Sequence, residues 1–442
     1  MTNVRIPTTL FSALLFVGAL TVPLAAPAAA QPCDSTGSSG SSGSSGSAGS
    51  GAEGSNGSLA DLSSGSFEGS GSAGSTGSFG HGRGQIREQG PLPILRGDTQ
   101  TIAWITGPRS NNRTDTRYGI SGTDLGIGWD NGETGDRRQI LMAFGDSFGD
   151  CGAEEQEWRN NVLLRSTDTD LADGIDFLDP EVGNPYSGSP VEVDRPNFSR
   201  QIIASLNLYP EVTVIPTAGI SVGGTQYINY MSVRSWDTPG HWTTNFSAIA
   251  VSHDNGQNWE TDPLTIRVNQ PFNILSALPQ ASPGNDNFQM QAYVRAAGYV
   301  YGYGTPNGRF GAARISRVAE TQMTNLAAYE YWNGSLWVPD VSAAVDVIGA
   351  PVSEMSVAWS PHLNRFVALF GNEQLAQVEL WTSSQPQGPW TMEKVLFNGI
   401  QMTGGFYAPF IHPWSSGNWL YFTLSRWSDY NVMLVRTNLN AL

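Results

Sequence analysis

Lysine is almost missing from this chain: Lys394 is the only one in 442 residues, and acidic residues outnumber basic ones 39 to 23. Binding to phosphate relies on clustered cations. A lysine-poor chain of net charge −16 therefore argues against nucleic acid and anionic lipid as partners. A neutral, hydroxyl-rich ligand suits such a surface, although acidity would equally serve solubility alone. Cysteine is nearly as scarce, with Cys33 and Cys151 alone. There is no CxxC and no His/Cys cluster, so a zinc site has no support; no cofactor is expected, and no ligand spacing argues for a structural calcium, which the sequence leaves open. Whether Cys33 and Cys151 pair is left open by the sequence, although an exported chain would permit it. His241 and His253 have no acidic partner at a suggestive spacing, and no Gly-x-Ser-x-Gly elbow is expected, which together argue against a serine hydrolase. Long segments of helical periodicity are also missing, with only a weak helical turn expected over 166–174.

The N-terminus reads as an export signal. Arg5 supplies a short positive region, Phe11 to Leu24 an apolar one, and Ala28-Ala29-Ala30 small residues for cleavage. Pro23 and Pro27 interrupt a run already short for a membrane span. Ala30-Gln31-Pro32 before Cys33 makes a poor lipidation site. Residues 1–30 are thus expected to be a signal peptide, with no membrane insertion after cleavage. Residues 31–95 are dominated by Gly and Ser, too poor in apolar surface to offset chain entropy, and are read as a disordered linker. Residues 96–442 form the expected folded domain. The protein is expected to be secreted or held in the cell envelope, as a monomer.

What fills that domain is β-sequence. Ile140–Phe144, Thr225–Val233, Phe246–Ser252, Gln289–Tyr303, Glu354–Phe370, Val378–Thr382 and Leu420–Leu424 are rich in β-branched and aromatic residues and bounded by Gly, Pro, Asn or Asp. Turns followed by tryptophan recur at Asp254–Trp259, Asn333–Trp337, Gln387–Trp390 and Ser416–Trp419. Small antiparallel sheets repeating at a spacing of roughly 40–50 residues indicate propeller blades. The fold expected is all-β, a five-bladed β-propeller, with blades near 120–170, 212–262, 287–338, 350–392 and 403–438; a β-sandwich is the competing architecture. The Pro- and Asn-rich stretch 175–211 reads as an insertion. Ser252-His-Asp-Asn-Gly-Gln-Asn-Trp259 has the shape of an Asp-box turn, in which Asp254 closes a hairpin and is not catalytic.

Glycoside cleavage needs two carboxyl groups, one as acid and the other as base or nucleophile. Asp124, in Gly122-Thr-Asp-Leu-Gly-Ile127, precedes a strand. Asp146, in Phe144-Gly-Asp-Ser-Phe-Gly149, follows the apolar run Ile140–Phe144. Asp146 could also simply cap a turn. Glu354 opens an alternating strand and is a third candidate catalytic residue, or else the partner of an arginine. Trp158, Arg159, Asn160, Asn161, Asn307, Arg309, His412 and Trp414 are candidate substrate-binding residues. Flat rings, amides and guanidinium groups are what sugar faces and hydroxyls require.

Taken together, Gly122-Thr-Asp-Leu-Gly, Phe144-Gly-Asp-Ser-Phe-Gly, Trp158-Arg-Asn-Asn-Val, Tyr230-Met-Ser-Val, Asp254-Asn-Gly-Gln-Asn-Trp, Gly304-Thr-Pro-Asn-Gly-Arg-Phe-Gly and Tyr430-Asn-Val occur in an order that resembles glycoside hydrolase family 183. These are actinobacterial endo-D-arabinanases, formerly a domain of unknown function. The resemblance covers about 97–440. It implies a five-bladed propeller that cuts α-D-arabinofuranosyl linkages in cell-wall arabinogalactan and lipoarabinomannan. It carries the two catalytic acids onto Asp124 and Asp146, without deciding which is acid and which is base. The rival readings are a non-catalytic propeller that binds cell-wall glycan, and another propeller glycosidase such as an L-arabinanase, a fructanase or a sialidase.

Overall fold

The computed structural model describes residues 88–207, 210–269 and 282–442, and the backbone of the short paired strands Cys33–Asp34 and Gln85–Ile86. The expected signal peptide and nearly all of the expected linker lie outside the described residues. From Thr99 onward the chain is a five-bladed β-propeller. The strands nearest the axis are Leu125–Asp130, Thr213–Val222, Met290–Ala296, Met355–Ser360 and Phe406–Ile411. Each packs against the next around a closed ring.

Blade one has three strands, Leu125–Asp130, Ile140–Phe144 and Val162–Ser166. Blade two runs through Thr225–Trp236 and Trp242–Ser252 to the short outer strands Glu260–Thr261 and Arg267–Val268. Blade three is the largest and extends to Val352, beyond the expected limit near 338, because Asp346–Val352 returns to pair with Gly311–Ala319. Blade four comprises Met355–Ser360, Arg365–Asn372, Gln377–Ser383 and Thr391–Asn398. Blade five is built from both parts of the domain. Phe406–Ile411, Trp419–Arg426 and Asn431–Asn438 are completed by Thr99–Trp104 as the outer strand. That strand escapes the sequence reading because its burial is incomplete and its pattern weak. Its role is to close the ring.

The apolar runs follow from burial on both faces. A blade stands between two neighbours, so alternate residues of one strand enter different cores. Ile140, Met142 and Phe144 pack toward blade five with Tyr421, Val432 and Leu434. Leu141 and Ala143 pack toward blade two with Val214, Ile228 and Phe246. Further clusters fill the spaces between blades two and three, three and four, and four and five. The turn tryptophan Trp259 meets Trp129 edge-on at 6.3 Å between blades one and two. The Asp254 turn closes as the Asp-box pattern expects. Its carboxylate accepts from the Asn258 backbone (2.9 Å) and amide (2.7 Å) and from Ser252 (2.8 Å), while Gly256 adopts φ +77°.

One local expectation fails. Residues 167–174 form no helix. Asp168 and Asp170 instead accept hydrogen bonds from the backbone of Asp170 and Ala172, the competition by which short acidic side chains favour turns. Among its described residues, the expected insertion 175–211 contains none of the blade strands.

Candidate active site

In each blade the innermost strand starts at the same face of the ring, and the second strand returns to that face before turning. Two kinds of position therefore surround the axis there: the residues that lead into innermost strands, and the turns between second and third strands. A pocket lies at this face, lined by both kinds. Asp124, Glu354 and Tyr407 belong to the first kind. Asp146, Trp242, Arg309, Trp427 and Tyr430 belong to the second or flank it.

Asp124 and Asp146 are drawn together by backbone pairing of their loops. Phe148 N donates to Gly122 O (2.9 Å), and Ser147 and Arg159 exchange two backbone bonds (2.8 and 2.9 Å). The hydroxyls of Thr123 and Ser147 meet at 2.7 Å, and Gly145 N donates to Asp124 O at 3.2 Å. Gly145 has to be glycine for space: a Cβ there would lie 2.4 Å from Asp124 Oδ1. Directly after Asp124, Leu125 takes φ +72° and the ladder is irregular as far as Ile127. Similar irregularities lie at Pro216/Ala218 and Tyr407/Phe410 in the innermost strands of blades two and five. Bulges re-aim side chains, and left-handed conformations in residues other than glycine mark strain held by the surroundings.

The two carboxyls differ in their surroundings. Asp124 Oδ2 accepts from the Tyr407 hydroxyl (3.0 Å), while Oδ1 is buried without a partner. Burial first, and then the negative charge of Asp146, push its pKa up to about 8; the Tyr407 bond offsets part of this. Asp146 Oδ1 accepts from Thr213 Oγ1 (2.6 Å) and Trp158 Nε1 (2.9 Å). Burial pushes it up to about 6, with these two bonds opposing. Near neutrality, then, one carboxyl of the pair holds a proton and its neighbour does not.

Glu354 lines the pocket, bound by Arg309 in a two-pronged ion pair (Nε to Oε2 3.0 Å, Nη2 to Oε1 2.9 Å). The Arg309 guanidinium lies 4.8 Å over the Tyr407 ring and 5.6 Å over those of Trp242 and Trp427. Glu354 is therefore the partner of an arginine, the alternative the sequence had left open.

The remaining candidates separate by position. Trp158 sits at the rim and holds Asp146. Arg159 is buried behind that loop, over Phe198 at 4.1 Å and donating to Gly119 O (2.7 Å) and Glu157 O (2.8 Å). Asn160 lies beside it, its backbone N–H donated to Gln201. Asn161 is wholly buried: its amide donates to Val214 O (2.9 Å), and its carbonyl accepts from Ile202 and Ile203, pinning the insertion to blade two. Asn307 binds the Trp242 carbonyl and accepts from Asn269 (2.9 Å). His412 and Trp414 follow the end of an innermost strand, whereas Trp158 to Asn161, Asn307 and Arg309 precede the third strands of their blades, which puts His412 and Trp414 on the opposite face. There Trp414 donates to Asp130 (2.5 Å) under the Arg138 guanidinium, and buried His412 is held down to about 3. Of the eight candidate binding residues, Arg309 lines the pocket and Trp158 touches one of its acids.

Sequence reading missed Tyr407, Trp242, Trp427 and Thr213. The available signal was position, since each occupies the same kind of site in its blade as Asp124 or Asp146. Residues 219–223 do spell Gly-x-Ser-x-Gly, but on a β-hairpin, where Ser221 Oγ is donated to Asn131 O at 2.7 Å. Cys151 is disulfide-bonded; the side chain of Cys33, the only other cysteine, lies outside the described residues. Among the described residues no group of three His, Cys, Asp or Glu side chains could hold a metal ion.

Comparison with known proteins places this geometry in a family. The chain is 30% identical over 329 residues to Notoamide biosynthesis cluster protein J of Aspergillus sp. (strain MF297-2), an alignment covering 71% of this chain and 81% of that one. Its fold is similar to that of a Bacteroides ovatus ATCC 8483 protein provisionally described as a hydrolase, with 14% identity, a TM-score of 0.51, and 74% and 88% of the two chains covered. It is also similar, at a TM-score of 0.41 and 12% identity, to the catalytic domain of a Coprinopsis cinerea GH62 alpha-L-arabinofuranosidase, with 78% and 97% covered. The family of domain of unknown function DUF4185 matches residues 109–436, and the chain belongs to it.

Proposed function

We propose that this protein is an exported glycoside hydrolase that cuts a neutral, D-arabinan-type polysaccharide of the cell envelope. The observation that carries the reading is the pair of adjacent carboxyls in the axial pocket, set apart in pKa at about 8 and about 6. Such a split is how one site supplies an acid and a base together. Asp124 gives its proton to the glycosidic oxygen as the C1–O bond breaks. Asp146 takes a proton from the water that attacks C1, or attacks C1 itself and is released by water in a second step. The surrounding carboxylates favour the positive charge that develops on the sugar ring. Among the described residues the one arginine lining the pocket is already committed to Glu354 and is not free to clamp an anionic sugar. This favours a neutral substrate over a sialidase-type one. The arabinan specificity rests on the resemblance to glycoside hydrolase family 183. Export and the cell-envelope location rest on the N-terminal sequence.

A second reading has its own support. Leu125, Ile215, Met231, Met290 and Phe410 make much of the pocket wall apolar. The fungal relative is named for a biosynthesis cluster. Acid/base catalysis on a small, largely apolar molecule fits both.

The mature chain should be incubated with mycobacterial-type arabinogalactan and with plant L-arabinan, beside Asp124→Asn and Asp146→Asn. A ladder of D-arabino-oligosaccharides from wild type, reduced at least about 100-fold in each variant, is the expected result. Release from neither polymer, with glycan binding retained, would replace the hydrolase by a wall-binding propeller. Neither release nor binding would favour the small-molecule reading.

A further inference from the structure

Two arginines among the described residues are fully buried, and they are treated differently. Arg165, between blades one and two, spends its nitrogens on Asn255 O (3.1 Å), Ser187 O (2.9 Å) and Gln257 Oε1 (3.2 Å). Arg267, in the short outer strand of blade two, is 1% exposed, and neither Nη1 nor Nη2 makes a hydrogen bond of normal geometry. Among the described residues no carboxylate pairs with it, and the segment 270–281 contains no Asp or Glu. The groups acting on its charge are the phenols of Tyr329, Tyr293 and Tyr331, of which Tyr329 and Tyr331 stand near enough to accept weak side-chain hydrogen bonds from it. Tyr329 lies with its ring 4.9 Å from the guanidinium and gives its own proton to Met323 O (2.7 Å). The Tyr293 hydroxyl is a second buried orphan beside the same guanidinium.

A guanidinium cannot shed its proton near neutrality. A buried charge without a counter-ion is costly, and one ring face offsets only part of that cost. The unsatisfied groups here are donors: two guanidinium nitrogens and a phenol free to turn its proton toward a ligand. Donors gathered around a fixed positive charge, with no acid to answer them, suit a small anion. We infer that Arg267 and Tyr293 hold a halide-sized monovalent anion, chloride in physiological media, between blades two and three. This site is separate from the axial pocket and holds whatever reaction the pocket performs.

Thermal unfolding of the whole chain in potassium chloride or bromide, against potassium gluconate at matched ionic strength, tests this. A saturable rise in Tm of about 2–5 °C with halide is expected. It should vanish in Arg267→Met and shrink in Tyr293→Phe. Crystals grown in bromide should show an anomalous peak within hydrogen-bond reach of Arg267. Should Arg267→Met fail to fold, Tyr293→Phe and the crystal decide. A Tm indifferent to the anion, or a water in place of the peak, overturns the inference.

Discussion

Asp124 and Asp146 are both aspartates at the end of a blade-one strand, yet the fold gives them different proton affinities. Asp124 keeps one oxygen unsatisfied and faces a second negative charge; Asp146 has two donors on a single oxygen. If they act as acid and base, kcat/KM should rise with pH near 6 and fall near 8, and the pH profile checks this directly. The same shifts bear on stability. Both groups bind protons more tightly folded than at their ordinary value of 3.8, so the native state keeps protons that the unfolded chain releases. Their contribution to stability is complete below about pH 4 and is lost as pH rises through 6 and then 8. Asp124→Asn removes the buried charge while keeping the side chain's shape. Its Tm should exceed that of wild type at pH 9 and match it at pH 4; a lower Tm at pH 9 would contradict the assignment.

At the scale of elements, the site depends on irregular backbone where strands meet the pocket. Leu125 at φ +72° and Ala408 at φ +50° flank Asp124 and Tyr407, the two residues joined by the 3.0 Å bond. Gly145 is where the fit is tightest. Gly145→Ala would drive a methyl into Asp124 Oδ1, so the carboxylate or its loop must move. Activity should fall at least about 10-fold, with a stability loss of about 1–3 kcal/mol. Turnover measured beside a denaturant titration separates the two effects, and unchanged turnover would show that the carboxyl tolerates displacement. Asn161, in a motif shared with the resembling family, shows why motif membership does not equal contact with substrate. It is an amide clasp between an insertion and blade two.

At the scale of the whole molecule, the ring is held shut by one outer strand. Thr99–Trp104 pairs with Asn431–Asn438, Thr99 and Thr437 share a 3.0 Å hydroxyl contact, and Trp104 fills the core between blades four and five. Removing residues up to 104 would bare a strand edge and open that core. The truncated chain should lose cooperative unfolding or aggregate at 37 °C, as calorimetry would show. A truncation as stable as the full chain would mean that the ring closes without this strand.

The repeat of turn, tryptophan and strand was legible in the sequence because each blade is a local unit: its hairpins, its Asp254 box and its alternating burial depend on neighbours a few residues away. Asp124 and Asp146 were legible too, since each borders a strand-like run. Which other residues join them is decided only by the ring, where residues 283 positions apart, Asp124 and Tyr407, share a hydrogen bond. The face on which a turn emerges depends on strand direction within its blade. That is why Arg309 reaches the pocket while His412 and Trp414, similar in composition and equally close to a strand, lie on the opposite side. The closing strand Thr99–Trp104 gains its place only from an edge presented more than 300 residues later. Local pairing can be read along a chain; convergence on an axis is set by tertiary packing.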